Sequence, residues 1–292
     1  MIGEILLDAG LFHIPYGKLL TELLDAGYEE TNQRTGSKIK TLPGAVSFKV
    51  DLRTGFLPVC GHRKLYPATM AAEVAWFLSG TKDVTWLAGH APIWNKFVES
   101  DGRTIDAAYG YRWATHFKRD QLDDAVFALS HNPSDRRVYV GTWDPASDGL
   151  GQLNQKNVPC PVGFTLSIVN DELHSSILLR SSDVFVGLPY DMGGHALLMQ
   201  ALLVSINQRR TEQTLRLGSM HVTLAHPHLY EAHYVMARES ISRGGTFEPP
   251  RLIAGWGLSE IKAAPDMFVE AYKAASREAK WPDFSPRPEL IV

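Results

Sequence analysis

Apolar and polar positions fall into clear periods along the chain. Leu19, Leu20, Leu23 and Leu24 recur at helical spacing and predict a helix over 16–30. Thr31 to Ser37 (TNQRTGS) is polar and reads as a loop. Residues 45–50 (AVSFKV) alternate as a strand does. Residues 67–79 (PATMAAEVAWFLS) predict a buried helix, with Pro67 at its start and Gly80 past its end. Glu73 is a carboxylate inside that apolar run. Segments 136–143, 162–169 and 173–179 read as strands, and Asn170-Asp171 is a hairpin turn signal between the last two. Residues 192–207 (MGGHALLMQALLVSIN) predict a long central helix. A further strand is expected over 215–223 and a helix over 233–240, and the tail (WPDFSPRPELIV) reads as irregular. No repeat, low-complexity stretch or linker interrupts the pattern. The expectation is one α+β domain over residues 1–292.

Composition narrows the class. A chain of 292 residues that is 45% hydrophobic has material for a large core, which excludes wholesale disorder. Lys and Arg number 29 against 32 Asp and Glu, a net charge of −3, so no nucleic-acid partner is expected from charge. The two cysteines, Cys60 and Cys160, exclude a disulfide framework and a multi-cysteine zinc site, and no metal is expected. They suit a reducing compartment. No apolar run reaches the ~18 residues of a membrane span. The first residues carry Glu4 and no basic cluster, unlike a signal peptide. A soluble, cytoplasmic protein without membrane contact is the expectation.

Candidate chemistry centres on Cys160, in Val158-Pro159-Cys160-Pro161. A lone cysteine is ordinarily a core residue. To act as a nucleophile it needs nearby positive charge to favour the thiolate. Arg136-Arg137 and Arg180 are candidates to supply it. Arg180 follows an apolar strand and precedes Ser181-Ser182-Asp183, which is not a typical solvated face. Arginines converging on one spot make a dianion site, because guanidinium forks match phosphate oxygens bidentately.

Residues 180–198, RSSDVFVGLPYDMGGHALL, resemble the pyrimidine- and folate-binding segment of the thymidylate synthase family. Further blocks agree in order and spacing: Asn32-Gln33-Arg34-Thr35-Gly36, Glu73-Val74-Ala75-Trp76-Phe77-Leu78, Ile93-Trp94, Tyr109-Gly110, Ser134-Asp135-Arg136-Arg137, Pro159-Cys160 and His228-Leu229-Tyr230. The resemblance covers roughly residues 30–240 and implies a mixed central sheet packed on a long buried helix, with a homodimer formed through the sheet face. It implies that Cys160 adds to C6 of a pyrimidine, so that C5 can take a one-carbon unit from methylenetetrahydrofolate. Arg34, Arg180 and Ser181 match phosphate ligands of the same subunit, while Arg136 and Arg137 match the pair that reaches into the neighbour's site. His228 and Tyr230 match the sugar-hydroxyl pair. Glu73, through ordered water, and Tyr109 match the proton-handling groups. Ile93, Trp94, Asp183, Gly187 and Tyr190 match the folate wall, and the C-terminal Leu290-Ile291-Val292 matches by position the tail that closes over folate.

Departures from the synthases bear on the substrate. Synthases read Pro-Phe-Asn where this chain has Pro189-Tyr190-Asp191. Asparagine suits uracil, whereas an acid can accept from cytosine N4–H2 and support a proton on N3. Aspartate here is what phage deoxycytidylate hydroxymethylases carry. Pro161 stands where histidine is usual, His195 where tyrosine is usual, and Phe97 where an indole is usual. These changes rebuild the polar network beside the base and the folate wall. The leading expectation is a folate-dependent 5-hydroxymethyltransferase acting on a cytosine nucleotide, dCMP ahead of CMP. The alternatives are a thymidylate synthase or dUMP hydroxymethylase, and an inactive nucleotide-binding homologue. Cys60, His195 and the first 25 residues have no assigned role, with core packing the default for Cys60 and the N-terminal stretch.

Overall fold

Asn170 and Asp171 both adopt positive φ, 54° and 58°, and their tight turn joins the strands Pro161–Val169 and Glu172–Leu179. The computed structural model describes residues 6–33, 35–151, 155–212, 214–243, 247–282 and 291. The strands are β1 (Leu6–Asp8), β2 (Tyr28–Thr31), β3 (Lys38–Thr41), β4 (Val46–Asp51), β5 (Tyr139–Gly141), β6 (Pro161–Val169), β7 (Glu172–Leu179), β8 (Ser182–Asp183), β9 (Arg216–Leu224) and β10 (Pro227–Tyr230). Six of them form one sheet in the order β1-β4-β9-β7-β6-β5. It is mixed: β7 runs parallel to β9 and β1 to β4, and the other pairs are antiparallel. The other four form a second sheet, β2-β3-β10-β8.

The helices are α1 (His13–Ala26), α2 (Pro67–Ser79), α3 (Thr85–Ala88), α4 (Tyr109–Tyr111), α5 (Gln121–His131), α6 (Leu188–Arg209), α7 (Tyr234–Arg243), α8 (Leu258–Ala263) and α9 (Pro265–Glu278). α6 is the long buried helix, with Met192, Ala196, Leu197, Met199, Leu202 and Ile206 all within the core. It packs on α2, α5, β7 and β9. The opposite face of the large sheet exposes Ser47, Tyr139, Thr165, Ser176 and Leu178.

Local sequence explains the boundaries. Pro67 opens α2 and Gly80 ends it at φ 68°, a left-handed conformation that glycine adopts without strain. The helix predicted over 16–30 instead runs His13–Ala26. At Gly27 the backbone turns extended, and Tyr28–Thr31 leaves as β2 to pair with β3. The strand predicted over 136–143 shortens to Tyr139–Gly141, the stretch that stays in regular register with β6. The N-terminal stretch packs as a core element: Tyr16, Leu19, Leu20, Leu23 and Leu24 are buried, as is Cys60. Arg34, Leu290 and Val292 lie outside the described residues.

Candidate active site

The hairpin explains the twenty-residue spacing between Cys160 and Arg180. β6 and β7 run antiparallel from the Asn170-Asp171 turn, so their far ends meet, and the Arg180 N–H donates to the Cys160 carbonyl at 2.9 Å. The Arg180 side chain then reaches back. Its Nε donates to the Pro159 carbonyl at 2.8 Å and its Nη2 to the Val158 carbonyl at 2.9 Å. The guanidinium thereby braces the loop that carries Cys160. Cys160 is partly exposed and forms no disulfide.

Helical spacing builds the opposite wall. Asp191, Gly194, His195 and Leu198 recur along one face of α6, and Glu73, Val74 and Phe77 along the facing side of α2. Together with Trp94, Tyr109, Trp113 and Tyr190 they enclose a cavity of about 60 Å³ that opens to the surface. Close approach depends on missing side chains. A Cβ on Gly193 would stand 2.5 Å from Met70 Sδ of α2, and one on Gly110 would overlap the Phe77 carbonyl. Gly110 thus lets Tyr109 sit against α2, its ring 5.1 Å from that of Phe77.

Burial dominates the electrostatics of this wall. It pushes the Glu73 carboxyl up to about 7, against a partial offset from the Trp94 indole N–H, which donates to Oε1 at 2.9 Å. Asp191 is pushed up to about 8, by burial first and then by the neighbouring Glu73 and Asp183 carboxylates. Tyr109 is driven well above the usual phenol range, by burial first and then by the negative charge of Cys160 and Asp191. Its phenol oxygen also meets the Cys160 backbone. Tyr190 is pushed up to about 12, again chiefly by burial. His195 is lowered by burial, and its Nδ1 lies 2.8 Å from the Asp191 carbonyl oxygen.

Further candidate groups lie on the small sheet and on two short segments near it. β8 pairs in parallel with β10, so Asp183 lies opposite His228. His228 and Tyr230 are both buried, their rings edge to face at 5.2 Å. Asp183 Oδ1 accepts from the N–H groups of Phe185 and Val186, each at 3.1 Å, while Oδ2 is buried with no hydrogen-bond partner among the described residues. Gly187 precedes the first turn of α6, and a Cβ there would come within 3.3 Å of the Asp183 carbonyl. Ile93 and Trp94 lie on a short 3-10 turn, Pro92–Phe97, where the Trp94 ring meets Trp76 at 5.2 Å and Phe97 at 5.5 Å.

Of the predicted residues, Glu73, Trp94, Tyr109, Tyr190 and Asp191 line the cavity, and Cys160, Asp183, His228 and the other described ones are not part of its lining. Arg136 and Arg137 are exposed on the segment leading into β5. Arg137 is 86% exposed and forks onto Asp135 at 2.9 Å. Ser181 is half-buried beside Arg180. Arg34 and Val292 fall outside the described residues.

Several contributors are not singled out by the sequence, although Phe77 and Leu198 fall inside the blocks that carry the resemblance. Trp113, Phe77 and Leu198 line the cavity as ordinary apolar positions of their segments. Asn157 Nδ2 donates to the Phe97 carbonyl and, at 2.9 Å, to Glu99 Oε1, tying the cysteine loop to the Trp94 turn. Arg112 is buried and donates to Asp148 at 3.0 Å, across 36 residues of sequence. Arg63 is buried, donates to the Phe185 carbonyl at 2.8 Å and stacks on that ring.

The thymidylate synthase family model matches residues 14–278, and the chain belongs to that family. It is accordingly an enzyme, a one-carbon transferase that acts on a pyrimidine nucleotide with methylenetetrahydrofolate as donor. Among the described residues no group of three or more His, Cys, Asp or Glu is arranged to hold a metal ion, and no helix is long and apolar enough to cross a membrane.

Proposed function

We propose that this chain is a cytidylate 5-hydroxymethyltransferase, with dCMP favoured and CMP the other candidate. The observation that carries the reading is the Asp191 carboxyl, which burial keeps protonated up to about pH 8 in the wall it shares with Glu73. A neutral carboxyl has one O–H donor and one carbonyl acceptor. Cytosine presents an N3 acceptor beside N4–H2 donors, so both halves of the carboxyl are met. Turned round, the carboxyl also fits uracil, and the proton then decides. Cytosine N3 is a far stronger base than uracil O4, so the shared proton binds cytosine harder. An ionised Asp191 opposite O4 would set two acceptors together.

In this reading Cys160 Sγ adds to C6 of the base. Asp191 passes its proton to N3 as electron density enters the ring, and C5 becomes nucleophilic. Methylenetetrahydrofolate supplies the one-carbon unit at C5. The unpaired Asp183 Oδ2 suits a pterin ring N–H, and Ile93, Trp94, Gly187 and Tyr190 form the wall beside it. Glu73, poised at about 7, takes the C5 proton through water, and Tyr109 stays a phenol that donates near the thiol. Water adds to the resulting exocyclic methylene, so the folate leaves unoxidised.

Arg180 and Ser181, with Arg34, receive the phosphate, and His228 with Tyr230 receives the 3′-hydroxyl. Arg136 and Arg137 complete the phosphate site of a neighbouring subunit. Their exposure and the uncovered sheet face favour a homodimer in which active sites are shared. Residues 1–292 act as one catalytic domain, in the cytoplasm.

Calorimetry on Cys160→Ala with dCMP, CMP and dUMP tests base choice without turnover. dCMP is expected to bind at least ~10-fold more tightly than dUMP, about the value of one well-placed buried hydrogen bond. Equal affinities would overturn the cytosine assignment.

A further inference from the structure

We infer that His195 Nε2 holds the water molecule that becomes the hydroxyl group of the product. The inference rests on the hydroxymethyltransferase reading and assigns the residue that delivers its last reactant.

The tautomer follows from the backbone. His195 Nδ1 lies 2.8 Å from the Asp191 carbonyl oxygen, one helical turn earlier. A carbonyl can only accept, so Nδ1 carries the proton and Nε2 is a bare acceptor. That Nε2 is shielded from bulk solvent and has no hydrogen-bond partner among the described residues. Buried polar atoms in folded proteins almost always find a donor, in protein or in ordered water. Burial lowers the imidazole below its usual range, which keeps it neutral and accepting.

The surroundings choose water as the donor. His195 shares the cavity of about 60 Å³ with Glu73, Tyr109 and Asp191. A water needs only ~10–15 Å³ of such space, so the cavity has room for one beside the imidazole. The rest of the lining is largely aromatic and aliphatic, and the Phe164 ring stands edge-on to the imidazole at 6.3 Å. A water held there has Nε2 as a fixed acceptor and the carboxyls of Glu73 and Asp191 close by. Pro161, next to the nucleophile, has no side-chain base, which leaves His195 as the imidazole of the cavity wall.

The water oxygen bonds to the exocyclic methylene carbon on C5, and one water proton passes to Nε2. The methylene π pair moves into the ring, the C5–C6 double bond re-forms, and the C6–Sγ bond breaks with its electron pair leaving on Cys160. The imidazolium then returns its proton toward the thiolate. The net change is addition of water, with no oxidation or reduction.

The test compares His195→Phe and His195→Gln with the native enzyme, using dCMP tritiated at C5 together with methylenetetrahydrofolate. Tritium release reports every step before water attack. Hydroxymethyl product and intact-protein mass report the water step. His195→Phe is expected to bind dCMP, release tritium in a single-turnover burst and accumulate a covalent nucleotide adduct on Cys160. Its product formation should fall at least ~100-fold, the lower range for a positioned acid or base. His195→Gln, whose amide oxygen can accept from water, should recover part of that loss. Product formation by His195→Phe within a few-fold of native would overturn the inference. So would equal loss of tritium release and product in both variants. If His195→Phe fails to bind dCMP, His195→Gln decides on the same readouts: a selective loss of product supports the inference, and native behaviour or a uniform loss overturns it. A native enzyme that makes no hydroxymethyl product overturns the proposed function itself, which separates the two failures.

Discussion

The Trp94 indole N–H donates to the Glu73 carboxylate at 2.9 Å, joining the predicted folate wall to the predicted proton-handling group. Burial raises Glu73 to about 7, and this bond is what restrains the shift. In Trp94→Phe the carboxyl is expected to titrate higher, because a donor to its ionised form is gone. The acidic limb of the kcat/KM profile for tritium release should move to higher pH. A limb that stays in place would detach Glu73 from the rate-controlling ionisation.

The same buried carboxyls make stability depend on pH. Glu73 and Asp191 sit at about 7 and about 8, against ordinary values of 4.5 and 3.8. Between those limits the folded state binds more protons than the unfolded chain. Their contribution is therefore fully present below the ordinary values and is lost as pH rises through 7 and 8. Asp191→Asn removes the larger of the two penalties. Its Tm relative to the native protein should be distinctly higher at about pH 9 than at about pH 5. Parallel melting curves across that range would contradict the burial of this acid.

Base choice should follow the same side chain. The amide of Asp191→Asn presents a uracil-compatible pattern and has no proton to pass to N3. The ratio of kcat/KM for dCMP over dUMP is expected to fall by ~10- to 100-fold, the range for one buried polar pair. An unchanged ratio would move base recognition elsewhere in the site.

Arg180 holds two carbonyls of the cysteine loop, and a lysine ammonium cannot reproduce that fork. Arg180→Lys is therefore expected to slow iodoacetamide alkylation of Cys160 and to raise KM for the nucleotide. Native alkylation kinetics in that variant would mean the loop holds itself.

Shared sites predict complementation. Cys160→Ala and Arg137→Ala should each be inactive or nearly so. Mixed under subunit exchange, they should regain activity, because one site of a hybrid dimer escapes both lesions. Failure to recover would confine Arg137 to its surface pair with Asp135.

Local chemistry made much of this architecture readable. α2 falls at 67–79 as predicted, because Pro67 and Gly80 act through the backbone alone. The β6–β7 turn follows from Asn170-Asp171, which tolerate positive φ. The short strands β3 and β10 are not visible in the sequence, since Ile39 and Leu229 are buried by pairing between segments far apart in the chain rather than by local alternation. A leucine stripe marks a face and not an end, so the pattern overruns α1, which stops at Gly27. At the site, Cys160, Glu73, Tyr109, Asp191, Trp94 and Tyr190 could be singled out by resemblance. The cavity shared by Asp191 and His195 could not, because it depends on how closely α6 approaches α2 at Gly193. The Arg112–Asp148 pair joins distant segments, and neither residue signals the other.

Product analysis separates a cytidylate hydroxymethyltransferase from a thymidylate synthase in one experiment. The native enzyme is incubated with methylenetetrahydrofolate and with dCMP, CMP or dUMP, each tritiated at C5, while tritium release and dihydrofolate absorbance are followed together. Tritium release from a cytidylate, a 5-hydroxymethyl product and no dihydrofolate are expected. Tritium release from dUMP with matching dihydrofolate would contradict it and make the chain a thymidylate synthase in activity, and no release from any of the three would leave an inactive homologue.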